Sequence, residues 1–571
     1  MRKLKIILPA LLLFIIGIAL FFFLKKGNTG SRLMISSPFR NALFPREFPA
    51  PEFSWWSKVR DSSFYDIALY TKNKEYAIFA STRQQSWKPV EAEWDSIKIL
   101  SDFKKIYFTV KRRSDHQQAS VYFTISRDSV GAPILYRQMP LPFIVAEKKL
   151  DSMSFMLINI GSRQLPHTVM KNFPVCGNCH SFSADGKTIG LDLDAGLRDK
   201  GGYFISPVQD TILFNIQNYR SWSVMEKRRT FGLFSKLSPD GRYVVTTVKD
   251  RVVMKNFPYS SLQNFIYSQL FFPVNGHLAI YDRQTKILKE LPGASSEQYV
   301  QSNAVWTPDG KYIIFSRAEA LPRDSDIYQI DVKNEELIKQ FVERKKSFKF
   351  NLYKIPFNGG NGGTAEPVKG ASNNGKSNYF PAVSPDGKWL VFCQAENFML
   401  LMPDSRLYIV PAIGGTAREL DCNFNSMNSW HSWSPNSKWI VFVSKILNPY
   451  TDMYLSHIDE KGNASIPVLV DWARSPFKVV NYPEFINRKP EYTFDMKYDF
   501  VELQHISAAV RKGNIEEAKR LYYKLEKQHM YFFRKDYEDL VLLLKNMGMN
   551  KEAEKYSEIA RRTIDSTVFN Q

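Results

Sequence analysis

One short pattern returns five times between residues 183 and 438, and it limits the fold more than any other feature of the chain. The copies are Ser183-Ala184-Asp185-Gly186-Lys187, Ser238-Pro239-Asp240-Gly241-Arg242, Thr307-Pro308-Asp309-Gly310-Lys311, Ser384-Pro385-Asp386-Gly387-Lys388 and Ser434-Pro435-Asn436-Ser437-Lys438. Each runs into an apolar stretch such as Ile313-Ile314-Phe315 or Ile440-Val441-Phe442-Val443. Proline fixes φ and glycine accepts φ > 0, so each copy predicts a tight turn between two strands, with the acid capping its own turn and needing no ligand. A lone hairpin cannot bury both faces, so the copies must stack, and radial stacking is the arrangement that leaves only short edges. The turn acids are spaced 55, 69 and 77 residues apart, with Asn436 another 50 on, which leaves room for a four-stranded unit per copy. Leu278-Ala279-Ile280-Tyr281-Asp282 and Arg406-Leu407-Tyr408-Ile409-Val410 supply outer strands.

This turn and the strand after it resemble the blades of the TolB family of six-bladed β-propellers. The resemblance implies a propeller over residues 160–490, with five evident blades and a sixth that is degenerate or completed from both ends of that stretch.

The flanking regions differ in kind. Residues 6–24 are 19 consecutive uncharged, almost wholly apolar residues behind Arg2, Lys3 and Lys5, long enough to span a bilayer as a helix. Phe21, Phe22, Phe23 and Leu24 run straight into Lys25 and Lys26 without a small-x-small cleavage site, which favours an uncleaved anchor within residues 1–30. Residues 40–150 alternate apolar and polar positions in short runs, as in Ile106-Tyr107-Phe108-Thr109-Val110 and Val121-Tyr122-Phe123-Thr124-Ile125, and predict a small β-sandwich. With Trp55, Trp87 and Trp94 as packing residues it loosely resembles a fibronectin type III-like or immunoglobulin-like module. Residues 498–566 switch to helical periodicity. Gly513-Asn514-Ile515-Glu516-Glu517-Ala518 and Gly548-Met549-Asn550-Lys551-Glu552-Ala553 are 35 residues apart, which resembles one to two tetratricopeptide repeats. The fold class expected is therefore mainly β: a transmembrane helix, a β-sandwich, a six-bladed β-propeller and a short α-helical C-terminal domain.

The net charge of +20, from 77 Lys and Arg against 57 Asp and Glu, raises nucleic acid as a partner. The basic residues are spread without an arginine-rich arm, and they read as a solvated surface. No G-x-S-x-G elbow, H-E-x-x-H or Walker loop occurs, so an electron carrier or binding protein is expected ahead of an enzyme.

One constellation points to chemistry. Cys176-Gly177-Asn178-Cys179-His180 matches C-x-x-C-H, the attachment signature of c-type haem. Two thiols at this spacing form thioethers to the porphyrin vinyl groups, and the histidine that follows ligates the iron. Here the motif runs directly into the first turn, and it resembles propellers that merge a cytochrome c motif with a blade. Three other readings stay open: a local disulfide, half of a zinc site, and a redox dithiol. Cys393 and Cys422 are either a second disulfide or buried thiols. For a sixth iron ligand the chain offers His167, Met427, His431 and His457 without choosing among them. The function expected is a membrane-anchored propeller, its body in the periplasm of a bacterium, carrying one haem c in electron transfer or cytochrome assembly. Its partners would be cell-envelope or electron-transfer proteins. The alternative is a haem-free protein-interaction scaffold of the envelope.

Overall fold

The five turns close by one local network. Thr307 Oγ1 donates to Asp309 Oδ1 at 2.6 Å, the Lys311 amide donates to the same oxygen at 3.1 Å, and the Tyr312 amide donates to Thr307 Oγ1 at 3.0 Å. The same bonds recur at Ser183/Asp185. They recur again where asparagine replaces the acid, at Ser434/Asn436. This bonding also holds the Asp309 carboxyl below its ordinary range, with the Thr307 hydroxyl the largest cause. At Gly186, φ is +66° and an added Cβ would stand 2.7 Å from the Asn487 carbonyl oxygen, so only glycine fits both the turn and that approach.

A computed structural model describes residues 33–563, apart from 58–62, 73–75, 150–151, 172–175, 196–198, 229, 256–261, 268–269, 322–338, 341–342, 398–400, 500, 502 and 529–533. The apolar stretch at residues 6–24 lies outside the described residues. Among the described residues no helix is long and apolar enough to cross a membrane.

Six four-stranded blades form a propeller-like ring, numbered here by their innermost strands, with blades 2 and 3 joined into one eight-stranded sheet by the parallel pairing of Gly276 with Val300. Blade 1 begins with Cys176–Phe182, blade 2 with Lys236–Leu237, blade 3 with Tyr299–Trp306, blade 4 with Ser377–Val383, blade 5 with Asn428–Trp433 and blade 6 with Lys478–Phe485. Each innermost strand pairs antiparallel with the strand after it in its sheet, the side chains of the central strands being almost wholly buried. Blade 6 is the one without a turn motif, and it is built from both ends: Lys478–Phe485 pairs with Ile134–Pro140, which continues to Ser154–Ile158 and His167–Lys171. This closure corrects the boundary expected from sequence, because residues 134–140 belong to the ring and not to the preceding sandwich. Neighbouring blades are tied through their inner strands: Trp306 Nε1 donates to the Lys236 carbonyl and Trp433 Nε1 to the Ala382 carbonyl, both at 3.1 Å.

Before the ring, a three-stranded and a five-stranded sheet enclose an aromatic core that includes Phe44, Phe53, Trp55, Trp94 and Phe123, with Trp87 at its edge. An α-helix, Glu91–Leu100, stands where only strands were expected. Glu91 and Glu93 lie in its first turn, and Glu93 accepts the Val90 amide at 3.2 Å, the local signal for a helix start. After the ring, Asp495–Tyr498 pairs in parallel with Thr211–Phe214 and leads into four helices, Leu503–Arg511, Ile515–Lys527, Arg534–Asn546 and Asn550–Arg562, around their own apolar core.

Candidate functional site

The turn repeat carries a second position that matters more than the turn itself. Seven residues before the turn glycine stand Cys179, Phe234, Asn303 and Phe380, and Trp430 stands seven before Ser437. Tyr482 takes this place in blade 6. The innermost strands break register here, between Gly177 and His180, Ser302 and Val305, Tyr379 and Ala382, Ser429 and Ser432, and Asn481 and Glu484. A bulge of this kind re-aims a side chain. Phe234, Asn303, Phe380, Trp430 and Tyr482 all adopt left-handed backbone, with φ of +57°, +53°, +51°, +49° and +53°. Their rings meet across the axis: Phe234 and Phe380 at 5.3 Å, Phe380 stacked on Trp430 at 4.6 Å, and Trp430 against Tyr482 at 4.9 Å. Together they floor an axial cavity of about 410 Å³, walled by residues such as Trp306, Trp433, Lys236 and Glu484 and rimmed by the turn prolines.

At the junction of blades 1 and 6 the site is chemically different. Cys179 packs against the axial aromatic cluster as a free thiol. Burial pushes its pKa up to about 12, the Asp192 carboxylate adding to this and the Arg137 and Lys236 cations opposing it. Cys176 pairs through its backbone with Asp194, and its side chain lies outside the described residues. His180 is fully buried, its ring 5.3 Å from Tyr482, 6.0 Å from Phe182 and 6.1 Å from Phe155. Neither ring nitrogen has a hydrogen-bond partner, and Nε2 stands 4.0 Å from Glu484 Oε2. Burial holds the imidazole neutral, helped by Lys236 and Arg137, and an approach to the Leu135 backbone that falls short of hydrogen-bond geometry acts weakly the other way.

Lys236 ties this junction together. Its Nζ lies 3.2 Å from Glu484 Oε2 and donates to the His180 carbonyl at 3.2 Å, while standing 4.9 Å over the Tyr482 ring. Arg137 donates to the Gly177 carbonyl. Burial raises Glu484, with Lys236 opposing it, and lifts Asp192 to about 8 against bonds from Ser235. One Asp192 oxygen accepts the Ser235 amide at 3.2 Å and the other has no partner.

The remaining sequence candidates are committed elsewhere. His167 Nε2 bonds Asp495 at 2.9 Å, and His457 Nε2 bonds Asp128 at 2.7 Å. His431, pushed down to about 4 by burial, has Nε2 3.2 Å from the Val391 carbonyl and Nδ1 3.8 Å from Cys393 Sγ. Met427 is buried in the core. The candidate disulfide between Cys393 and Cys422 is not made: both are buried free thiols, and Cys393 Sγ instead lies 3.5 Å from Ser429 Oγ. Among the described residues no group of three or more His, Cys, Asp and Glu is placed to hold a metal ion. Lys236, Glu484 and Asp192 were not singled out from the sequence. Asp192 had a local signal, a carboxylate inside the otherwise apolar run Ile189-Gly190-Leu191-Asp192-Leu193, whereas Glu484 reaches the site only through ring closure.

No family model matches the chain, and no curated protein matches it. Among solved structures it is similar to an oligogalacturonate lyase in complex with manganese (12% identity, 55% of this chain and 69% of that one, TM-score 0.33). It is also similar to the Pseudomonas aeruginosa periplasmic gluconolactonase PpgL (12%, 58% and 81%, TM-score 0.32). A third is Kuenenia stuttgartiensis hydrazine synthase (12%, 75% and 98%, TM-score 0.30).

Proposed function

We propose that this chain is a membrane-anchored, extracytoplasmic propeller of the TolB type that carries one covalent c-type haem through Cys176 and Cys179, with His180 as axial ligand, in electron transfer with an envelope partner. The observation that carries this reading is His180: a fully buried imidazole, directly after a C-x-x-C pair, with both nitrogens bare. A buried polar group left without a partner costs about 1–3 kcal/mol, and a nitrogen with no proton to share and no donor to meet suits a metal ligand. The donor set fits the group in kind, as thiol and neutral imidazole. Haem would supply one-electron chemistry. The chain's own residues keep the imidazole unprotonated through burial and the Lys236 and Arg137 cations, balance charge through the Lys236–Glu484 pair, and exclude water with Phe155, Phe182 and Tyr482.

A second reading, the haem-free envelope scaffold, is favoured by the closed packing that leaves the His180 side chain 0% exposed. Expression of the full chain, anchor included, in a host with c-type haem maturation separates the two. Sharp reduced-minus-oxidised visible bands in the wild type, absent from Cys179→Ser, are expected of the haem protein. A colourless wild type leaves the scaffold.

A further inference from the structure

The axial cavity is walled by rings and rimmed by prolines, and few of its polar side-chain atoms are within reach of a guest. On the floor, Trp430 Nε1 and Asn303 Oδ1 are sealed off, so a guest meets ring surfaces there. The rim prolines carry no N–H, and the Trp306 and Trp433 indole N–H groups are spent on neighbouring carbonyls. His431 has both nitrogens engaged, and the Tyr482 hydroxyl approaches Cys179. Ser432 Oγ accepts the Phe485 amide at 3.4 Å, and at the rim Asn487 donates to the Ala184 carbonyl at 2.8 Å. The charged groups within reach are a single ion pair. Lys236 and Glu484 line the wall with side chains 20% and 18% exposed, their charged ends 3.2 Å apart. The Lys236 ammonium spends one hydrogen on Glu484 Oε2 and one on the His180 carbonyl, and its third is uncommitted. Glu484 takes Lys236 on Oε2, with the Phe182 amide approaching, and a carboxylate with about four acceptor sites keeps capacity to spare.

We propose that the axial cavity binds a free α-amino acid with a large apolar side chain, its carboxylate on Lys236, its ammonium on Glu484 and its side chain on the rings of the floor. An amino acid carries its two charges side by side on one carbon, as the wall carries Lys236 and Glu484. The two pairs therefore meet as opposed dipoles, and no charge is left over. A guest with one charge fits worse: a lone carboxylate on Lys236 also stands beside Glu484, and a lone amine on Glu484 stands beside Lys236. Such repulsion is steep in a poorly hydrated site. The apolar side chain is called for by the floor, where Phe380 stacks on Trp430 at 4.6 Å with Phe234 and Tyr482 alongside. A sugar fits less well, since its several hydroxyls would lie on rings that offer them no partner. A volume of about 410 Å³ admits such a molecule with some water and is typical of small-molecule sites. The site does not rest on the haem reading, because neither Cys179 nor His180 lines the cavity.

The test uses the full-length chain in detergent, produced without haem maturation so that its outcome is independent of haem. The probes are L-phenylalanine, 2-phenylethylamine, 3-phenylpropionate and D-glucose, read at neutral pH by saturation-transfer NMR against a detergent blank. Saturable binding of L-phenylalanine is expected, with each single-charge analogue about tenfold weaker or more and no binding of glucose. Each half of the ion pair has its own signature. In Glu484→Gln the released Lys236 cation should put 3-phenylpropionate ahead of L-phenylalanine, and in Lys236→Met the released Glu484 carboxylate should put 2-phenylethylamine ahead. Thermal melts check that the variants fold, and the ranking of the phenyl probes on the wild type decides the matter if they do not. The proposal is overturned if L-phenylalanine shows no saturable binding up to its solubility, if either analogue binds the wild type as tightly, if glucose binds, or if folded variants rank the probes as the wild type does.

Discussion

His180 and His431 stand at the same position of the repeat, six residues before Gly186 and Ser437; His180 is fully buried and His431 half-buried, and desolvation holds both neutral. In blade 5 the imidazole is part of the fabric, reaching the Val391 carbonyl with one nitrogen and the Cys393 thiol with the other. In blade 1 the same imidazole makes no hydrogen bond through either nitrogen, with Glu484 Oε2 4.0 Å from Nε2 and the Lys236 and Arg137 cations close enough to disfavour its protonation. A histidine at this position is thus compatible with a purely structural role, and what marks His180 is the lack of partners together with the two cysteines just before it. The difference lies in the neighbours that ring closure brings, since Glu484 and Tyr482 come from blade 6.

The sharpest way to break the comparison is to change each imidazole in haem-loaded protein. His180→Met should keep the covalent attachment while raising the midpoint potential and altering the reduced spectrum, and His431→Met should do neither. Equal spectra for the two variants would remove the distinction.

Stability should separate the pair next. In protein produced without haem, His431→Leu strips a partner from the Val391 carbonyl and should cost about 1–3 kcal/mol in denaturant unfolding. His180→Leu removes two unsatisfied nitrogens and should be neutral or stabilising by about 1 kcal/mol.

A smaller effect should follow pH. Unfolded Asp192 titrates near the usual value of about 3.9, and burial lifts it to about 8 in the fold. The folded state therefore holds an extra proton between those values, so this contribution to stability is complete below about pH 4 and is lost as pH rises through about 8. The wild-type melting temperature should fall from pH 5 to 8.5, and Asp192→Asn should flatten that fall. An unchanged slope would place Asp192 outside the buried cluster.

The smallest effect concerns blade 3, which has Ala304 where the two histidines stand. Gly310 has φ of +68° and open space around an added Cβ, so Gly310→Ala should cost about 1 kcal/mol from backbone strain alone. It should leave haem content and ligand binding untouched.

The legible parts of the fold were those whose signals are local. Each Ser/Thr-Pro-Asp-Gly turn is bonded within five residues, so five blades could be read directly. Blade 6 carries no such turn, and its strands come from residues 134–171 and 478–485, so only the need to close the ring hinted at it. That is also why residues 134–140 read as part of the sandwich: a strand looks the same whichever sheet receives it. The helix at Glu91–Leu100 was obscured by Trp87 and Trp94, which sit on either side of its start and suggested strand edges. At the site, Cys176, Cys179 and His180 were readable from spacing, whereas Lys236 and Glu484 meet only across 248 residues of sequence. The left-handed residues stood at one position of the repeat all along, but Phe234, Asn303, Phe380 and Trp430 share a backbone need and no chemistry that a sequence pattern exposes.

The most direct measurement is the mass of the proteolytic fragment that contains residues 176–180, taken from protein matured in a host competent for c-type haem attachment. The account predicts a fragment heavier than its sequence by one haem, with both cysteines modified and visible absorption at the same elution position. A fragment at its sequence mass, or one with Cys176 and Cys179 joined as a disulfide, would contradict it.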